Sequence, residues 1–94
     1  MLERDVERKL GRELKKLNCL YYKFTSPGSP GVPDRIVIAP DGRIWFVELK
    51  RGDSGVVSAQ QKARIHELRM HGQAALVLRG WSDCEEFLAR LKSR

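Results

Sequence analysis

The chain has little of the chemistry that small redox and zinc proteins use: two cysteines and two histidines in 94 residues. Cys19 and Cys84 are too few and too far apart for a disulfide framework or a cysteine zinc site, and both lie in apolar segments, so they read as small core residues. His66 and His71 have no His, Cys or carboxylate partner at ligand spacing, and no Ser/His/Asp or Cys/His arrangement is present, which argues against a catalytic histidine. No glycine-rich loop leads from a strand into a helix, so no nucleotide cofactor is expected. No apolar run approaches the roughly 20 residues of a membrane span and no basic-then-apolar leader is seen, which predicts a cytoplasmic protein with no membrane partner. Acids are also outnumbered: 12 Asp and Glu against 18 Lys and Arg give a net charge of +6. Such an excess suits a polyanion, because Lys and Arg gain affinity by releasing phosphate counterions, although charge alone separates nucleic acid from an acidic membrane poorly. The length predicts a single domain, 1–94, whose marginal core a partner subunit would help to complete.

What is present is organised around GVPDRIVIAPDGRIWFVELK, from Gly31 to Lys50. Two apolar runs rich in β-branched and aromatic residues flank Pro40-Asp41-Gly42, the chemistry of a β-hairpin turn. Side chains alternate along a strand, so Glu48 and Lys50 share one face and Leu49 takes the other. The hairpin also returns Asp34, at the start of its first strand, to Glu48 and Lys50 at the end of its second. Two carboxylates and an ammonium converging at one end of a sheet suit a hard cation with a positive partner. The plainer reading is a Pro-Asp turn and a Glu–Lys surface pair worth under about 1 kcal/mol.

Before the hairpin, Leu2, Val6, Leu10, Leu14 and Leu17 predict an amphipathic helix over 2–17, with Glu3 and Glu7 one turn apart beside the apolar stripe. CLYYKF, residues 19–24, reads as the first strand. Lys23 faces opposite to Tyr22 and Phe24. The turn cluster TSPGSPG could offer N–H groups and hydroxyls to a phosphate, or simply connect. After the hairpin, RGDSGVV is flexible enough to grip a ligand. Ser58-Ala59-Gln60-Gln61 then fits a capping box opening a helix that stops at Gly72. Gln60 would sit in the first turn, where free N–H groups and the helix dipole favour anions; equally, it is an ordinary exposed residue while Gln61 caps. AALVL, 74–78, reads as a buried strand, and Ser82-Asp83-Cys84-Glu85 as a second capping box before a last helix with a basic tail. The predicted order is α-β-β-β-α-β-α, an α/β fold.

Pro33-Asp34, thirteen residues, then Glu48-Leu49-Lys50 resembles the PD-(D/E)xK signature of restriction-endonuclease-like nucleases. The wider stretch KFTSPGSPGVPDRIVIAPDGRIWFVELKRGDSGVVSAQQ resembles the virus-type replication-repair nuclease (VRR-Nuc) family, with its K-F-x-S-P-G loop, G-V-P-D-R, P-x-G-R turn, F-V-E-L-K and S-x-x-Q. The likeness extends upstream to Glu3–Val6 and downstream to His71-Gly72, about residues 2 to 78 in all. It implies a mixed sheet flanked by helices and a Mg²⁺- or Mn²⁺-dependent phosphodiesterase. By the same resemblance Asp34 and Glu48 match the metal-binding acids, with the Leu49 carbonyl and waters completing the shell. Lys50 matches the motif lysine, Gln60 the helix-start glutamine, and Glu3 the first-helix acid, with Glu7 the alternative to Glu3. Lys23, Ser26, Arg35 and Arg51 match positions where contacts to DNA phosphates are plausible. Stand-alone members are homodimeric Holliday-junction resolvases, whereas fused ones act as monomers on flaps. The resemblance therefore points to a homodimer that cuts four-way DNA junctions in a phage or prophage setting. The alternatives are a nuclease acting on flaps, nicks or ends, and a DNA-binding module that does not cut.

Overall fold

A computed structural model of the chain describes residues 2–52 and 55–93. The elements follow the predicted order: α1 (Glu3–Lys16), β1 (Leu20–Lys23), β2 (Arg35–Ile38), β3 (Ile44–Lys50), α2 (Ala59–Met70), β4 (Ala74–Arg79) and α3 (Gly80–Ser93). One mixed sheet runs β1-β2-β3-β4, antiparallel as far as β3 and then parallel, with α2 as the crossover that parallel pairing requires. The hairpin closes through a hydrogen bond from Gly42 N to Ala39 O at 2.9 Å, and the positive φ of 92° at Gly42 is one that glycine adopts without strain.

The sheet has two unlike faces. α1 contributes Val6, Leu10 and Leu14 at helical spacing, and α3 contributes Cys84, Phe87, Leu88 and Leu91. Both sets pack on Val37, Val47, Leu49 and Leu78 of the sheet to form the core. Phe87 meets Trp45 edge-on, with ring centroids 5.5 Å apart. Each such fully buried side chain stabilises the fold by about 1.5–3 kcal/mol. Cys84 is part of this core, and burial pushes its thiol up to about 12, which leaves it unreactive. Cys19 is half-buried at the margin of the same cluster. On the other face α2 packs over β4.

The first strand and the last helix differ most from expectation. The first strand is confined to Leu20–Lys23, because β2 ends at Ile38 and gives Cys19 no partner in the ladder. The last helix begins directly after β4, two residues before Ser82. Gly80, with φ 65°, turns the chain from strand to helix without a loop, and Asp83 Oδ2 reaches back to accept the Arg79 N–H at 2.7 Å. The cap is therefore supplied by Asp83 and not by Ser82. Residues 53 and 54 of the expected ligand-gripping loop, and Arg94 of the basic tail, lie outside the described residues.

Candidate active site

The register of the hairpin builds the site. Arg35 pairs with Val47, so one step further out Asp34 stands opposite Glu48, both on the face that carries α2. The Phe24 N–H donates to the Asp34 carbonyl at 2.8 Å, tying this end of β2 to β1. Glu48 is only 7% exposed. Its carboxyl is pushed above the ordinary range, first by burial and then by the charge of Asp34. Lys50, on the same strand face, opposes that shift from 3.5 Å. Glu48 Oε2 also accepts a hydrogen bond from Gln61 Nε2 at 3.1 Å. Gln61 reaches it from the first turn of α2, where Ser58 and Gln61 form the reciprocal capping box.

A second group holds Asp34 from the other side of the sheet. Arg35 is 7% exposed. Its guanidinium donates to the Asp34 carbonyl at 2.9 Å, lies 3.4 Å from Asp34 Oδ2, and pairs with Glu7 of α1 at 2.5 Å. Burial alone would weaken its charge, but Glu7 and Asp34 outweigh that and hold the guanidinium firmly ionised. Asp34 Oδ1, by contrast, is buried and accepts no hydrogen bond. An orphaned carboxylate oxygen beside a second acid whose charge is disfavoured is unfavourable in itself, and a hard divalent cation would relieve both. The donors therefore fit Mg²⁺ or Mn²⁺. Among the described residues no cluster of three or more His, Cys, Asp or Glu is present, so two carboxylates and neutral oxygens are what the site can offer.

The structure thus brings together Asp34, Glu48 and Lys50. The side chain of Leu49 turns away into the core, as strand alternation requires. Gln60 is exposed, with its backbone pressed against Gly31, and its neighbour Gln61 is the glutamine that touches Glu48. The S-x-x-Q spacing itself falls on Gln61, so that signal was available in the sequence. Glu3 is exposed in the first turn of α1, and Glu7 is the helix acid linked, through Arg35, to Asp34. Arg35 is no free phosphate contact, because odd positions of β2 face α1 and its charge is engaged there. Lys23 pairs with Arg35 in register, so it is exposed on the α1 side of the sheet, away from the acids. Ser26 is half-buried in the loop before Asp34, and Arg51 is exposed directly after Lys50.

A mixed sheet that sets two acids and a lysine at the end of a hairpin, beneath the first turn of a crossover helix, is the arrangement that the resemblance to restriction-endonuclease-like nucleases implies. No protein-family model matches the sequence. The chain is 39% identical over 71 residues to "Putative nuclease p44" of Acyrthosiphon pisum secondary endosymbiont phage 1, covering 76% of this chain and 69% of that protein. A solved structure described as "VRR_NUC domain" superposes with a TM-score of 0.85 at 26% identity, covering 93% of this chain and 94% of the other. Another, "VRR_NUC domain protein", shares the fold at 18% identity with a TM-score of 0.77, covering 99% and 89%. The chain belongs to the VRR-Nuc family of nucleases.

Proposed function

We propose that this nuclease is a divalent-metal-dependent DNA endonuclease that works as a homodimer on four-way junctions. The observation that carries the metal dependence is Asp34 Oδ1, buried without a partner one strand from the disfavoured carboxylate of Glu48. Asp34 and Glu48 would hold Mg²⁺ or Mn²⁺, with the Leu49 carbonyl and waters in the remaining positions. When bound, the ion would polarise the scissile phosphate and lower the pKa of an attacking water. Lys50, kept in place by Glu48, would orient that water and offset charge on the phosphorane. Gln61 holds Glu48 in its rotamer from the helix side, while Arg35 fixes Asp34 from the core side. Ser26 and Arg51 belong to the segments next to the acids and would meet flanking phosphates.

The dimer has a separate support. Leu20, Tyr22 and Ile44 are 49%, 56% and 42% exposed, and they adjoin the half-buried Ile36, Ile38 and Phe46 on the sheet face opposite α1 and α3. This is one apolar surface, on the same side as Asp34 and Glu48. A second copy packed here about a twofold axis would bury it and turn two sites toward the two symmetric strands of a junction. No helix among the described residues is long and apolar enough to cross a membrane, and the phage relative supports a cytoplasmic, phage-infected setting.

The test is cleavage of labelled four-way junction, 5′ flap, nicked duplex, plain duplex and single strand with Mg²⁺, Mn²⁺ or EDTA, beside light scattering for mass. Metal-dependent paired cuts in the junction by a dimer are expected. Flap cutting by a monomer would discard the resolvase, and DNA binding with no cutting under either metal would leave a binding module.

A further inference from the structure

One flank of α2, where it meets β4, borders a cavity of about 300 Å³. Lys62, His66 and Arg69, at helical spacing on one face of α2, line it together with Arg79 at the end of β4, over a floor that includes Ile65 and Val77. The two arginines are held rigid by backbone carbonyls: Arg69 Nε and Nη2 donate to Ala75 O at 3.0 and 2.8 Å, and Arg79 Nη1 donates to Gly55 O. A carbonyl fixes a guanidinium without neutralising it, and each has five N–H donors, more than these bonds use. Arg43 and Arg64, by contrast, are paired with the carboxylates of Asp41 and Glu67. Among the described residues, Asp83 accepts the Arg79 backbone N–H and Glu67 is paired with Arg64.

We infer that this groove is a second phosphate-binding site, which grips the backbone of the DNA whose scissile phosphate lies at Asp34 and Glu48. Val77 of its floor pairs in register with Glu48, and both are on the α2 face. The floor of the groove is thus one strand from Glu48, a spacing of about 5 Å. The proposal rests on the reading of the chain as a DNA nuclease, and phosphate contacts of this kind position DNA without reading its sequence.

Lys62 is exposed, so Lys62→Ala preserves the fold, and Arg79→Ala extends the test to the anchored arginines. Affinity for an uncut junction is measured in EDTA by fluorescence anisotropy across a salt series, with Lys15→Ala on the exposed side of α1 as a control of equal charge. Each groove variant is expected to bind more weakly and to reduce the slope of log affinity against log salt by about 0.9. The control leaves that slope within error of the parent. Equal effects of Lys62→Ala and Lys15→Ala would overturn the groove while leaving the nuclease intact. A groove-specific loss in a parent protein that binds junctions but never cuts them would sustain the groove and refute the nuclease.

Discussion

Gln61 donates its Nε2 to Glu48 at 3.1 Å while its Oε1 accepts the Ser58 N–H at 2.9 Å, so one amide both caps α2 and fixes an acid of the site. The start of the helix and the end of β3 are locked by a single side chain.

Gln61→Ala removes half of the capping box and frees Glu48. It should cost about 1 kcal/mol in denaturant unfolding and lower the cleavage rate. Gln60→Ala, at the exposed neighbour, should stay within about 0.5 kcal/mol of the parent and leave cutting unchanged. The two substitutions differ by one position and predict opposite results, which places the functional glutamine.

Arg35 joins α1 to the site through Glu7 and Asp34. Arg35→Met leaves Glu7 and Asp34 without their shared cation; both acids are partly exposed and regain water, so the loss should be about 1–3 kcal/mol. Arg35→Met with Glu7→Gln should recover part of that stability in a double-mutant cycle. Metal affinity should stay about 10–100-fold weak in both, because Asp34 is still unsupported.

Glu48 carries the pH dependence. Its carboxyl is raised in the folded state by burial and by Asp34, so protonation favours the native form. That stabilisation is complete below the unfolded carboxyl value and is lost as pH rises through the raised folded one. Thermal melts in EDTA from acidic to neutral pH should show this loss in the parent, and Glu48→Gln should remove it. Metal affinity runs the other way and climbs over the same window, since the ion displaces the proton. Parallel pH profiles for parent and Glu48→Gln would contradict this.

Gly31 has φ 91°, and a Cβ there would lie 2.6 Å from the Gln60 carbonyl. Gly31→Ala should therefore cost at least about 1–3 kcal/mol by calorimetry and push the loop off the start of α2, with activity falling as well.

The hairpin was legible because its signals are local: alternation, a Pro-Asp-Gly turn, and two acids whose separation the register fixes. The helices were legible from their apolar spacing. What escaped was long-range. Arg35 looks like a phosphate ligand beside Pro33-Asp34, and only the packing of α1 on β2 reveals Glu7 waiting for it. For the glutamines the S-x-x-Q spacing does single out Gln61, but only the packing of α2 over β3 shows that its amide meets Glu48. The start of α3 was misplaced because Gly80 makes a direct strand-to-helix turn that no periodicity announces.

The central claim is that Asp34 and Glu48 together bind a divalent ion, and calorimetric titration of Mn²⁺ into parent and Asp34→Asn protein tests it most directly. The account predicts saturable binding in the parent, with proton release, and loss of that binding in Asp34→Asn while the melting curve stays cooperative. Equal Mn²⁺ binding by the two proteins would place the metal elsewhere and contradict the site described above.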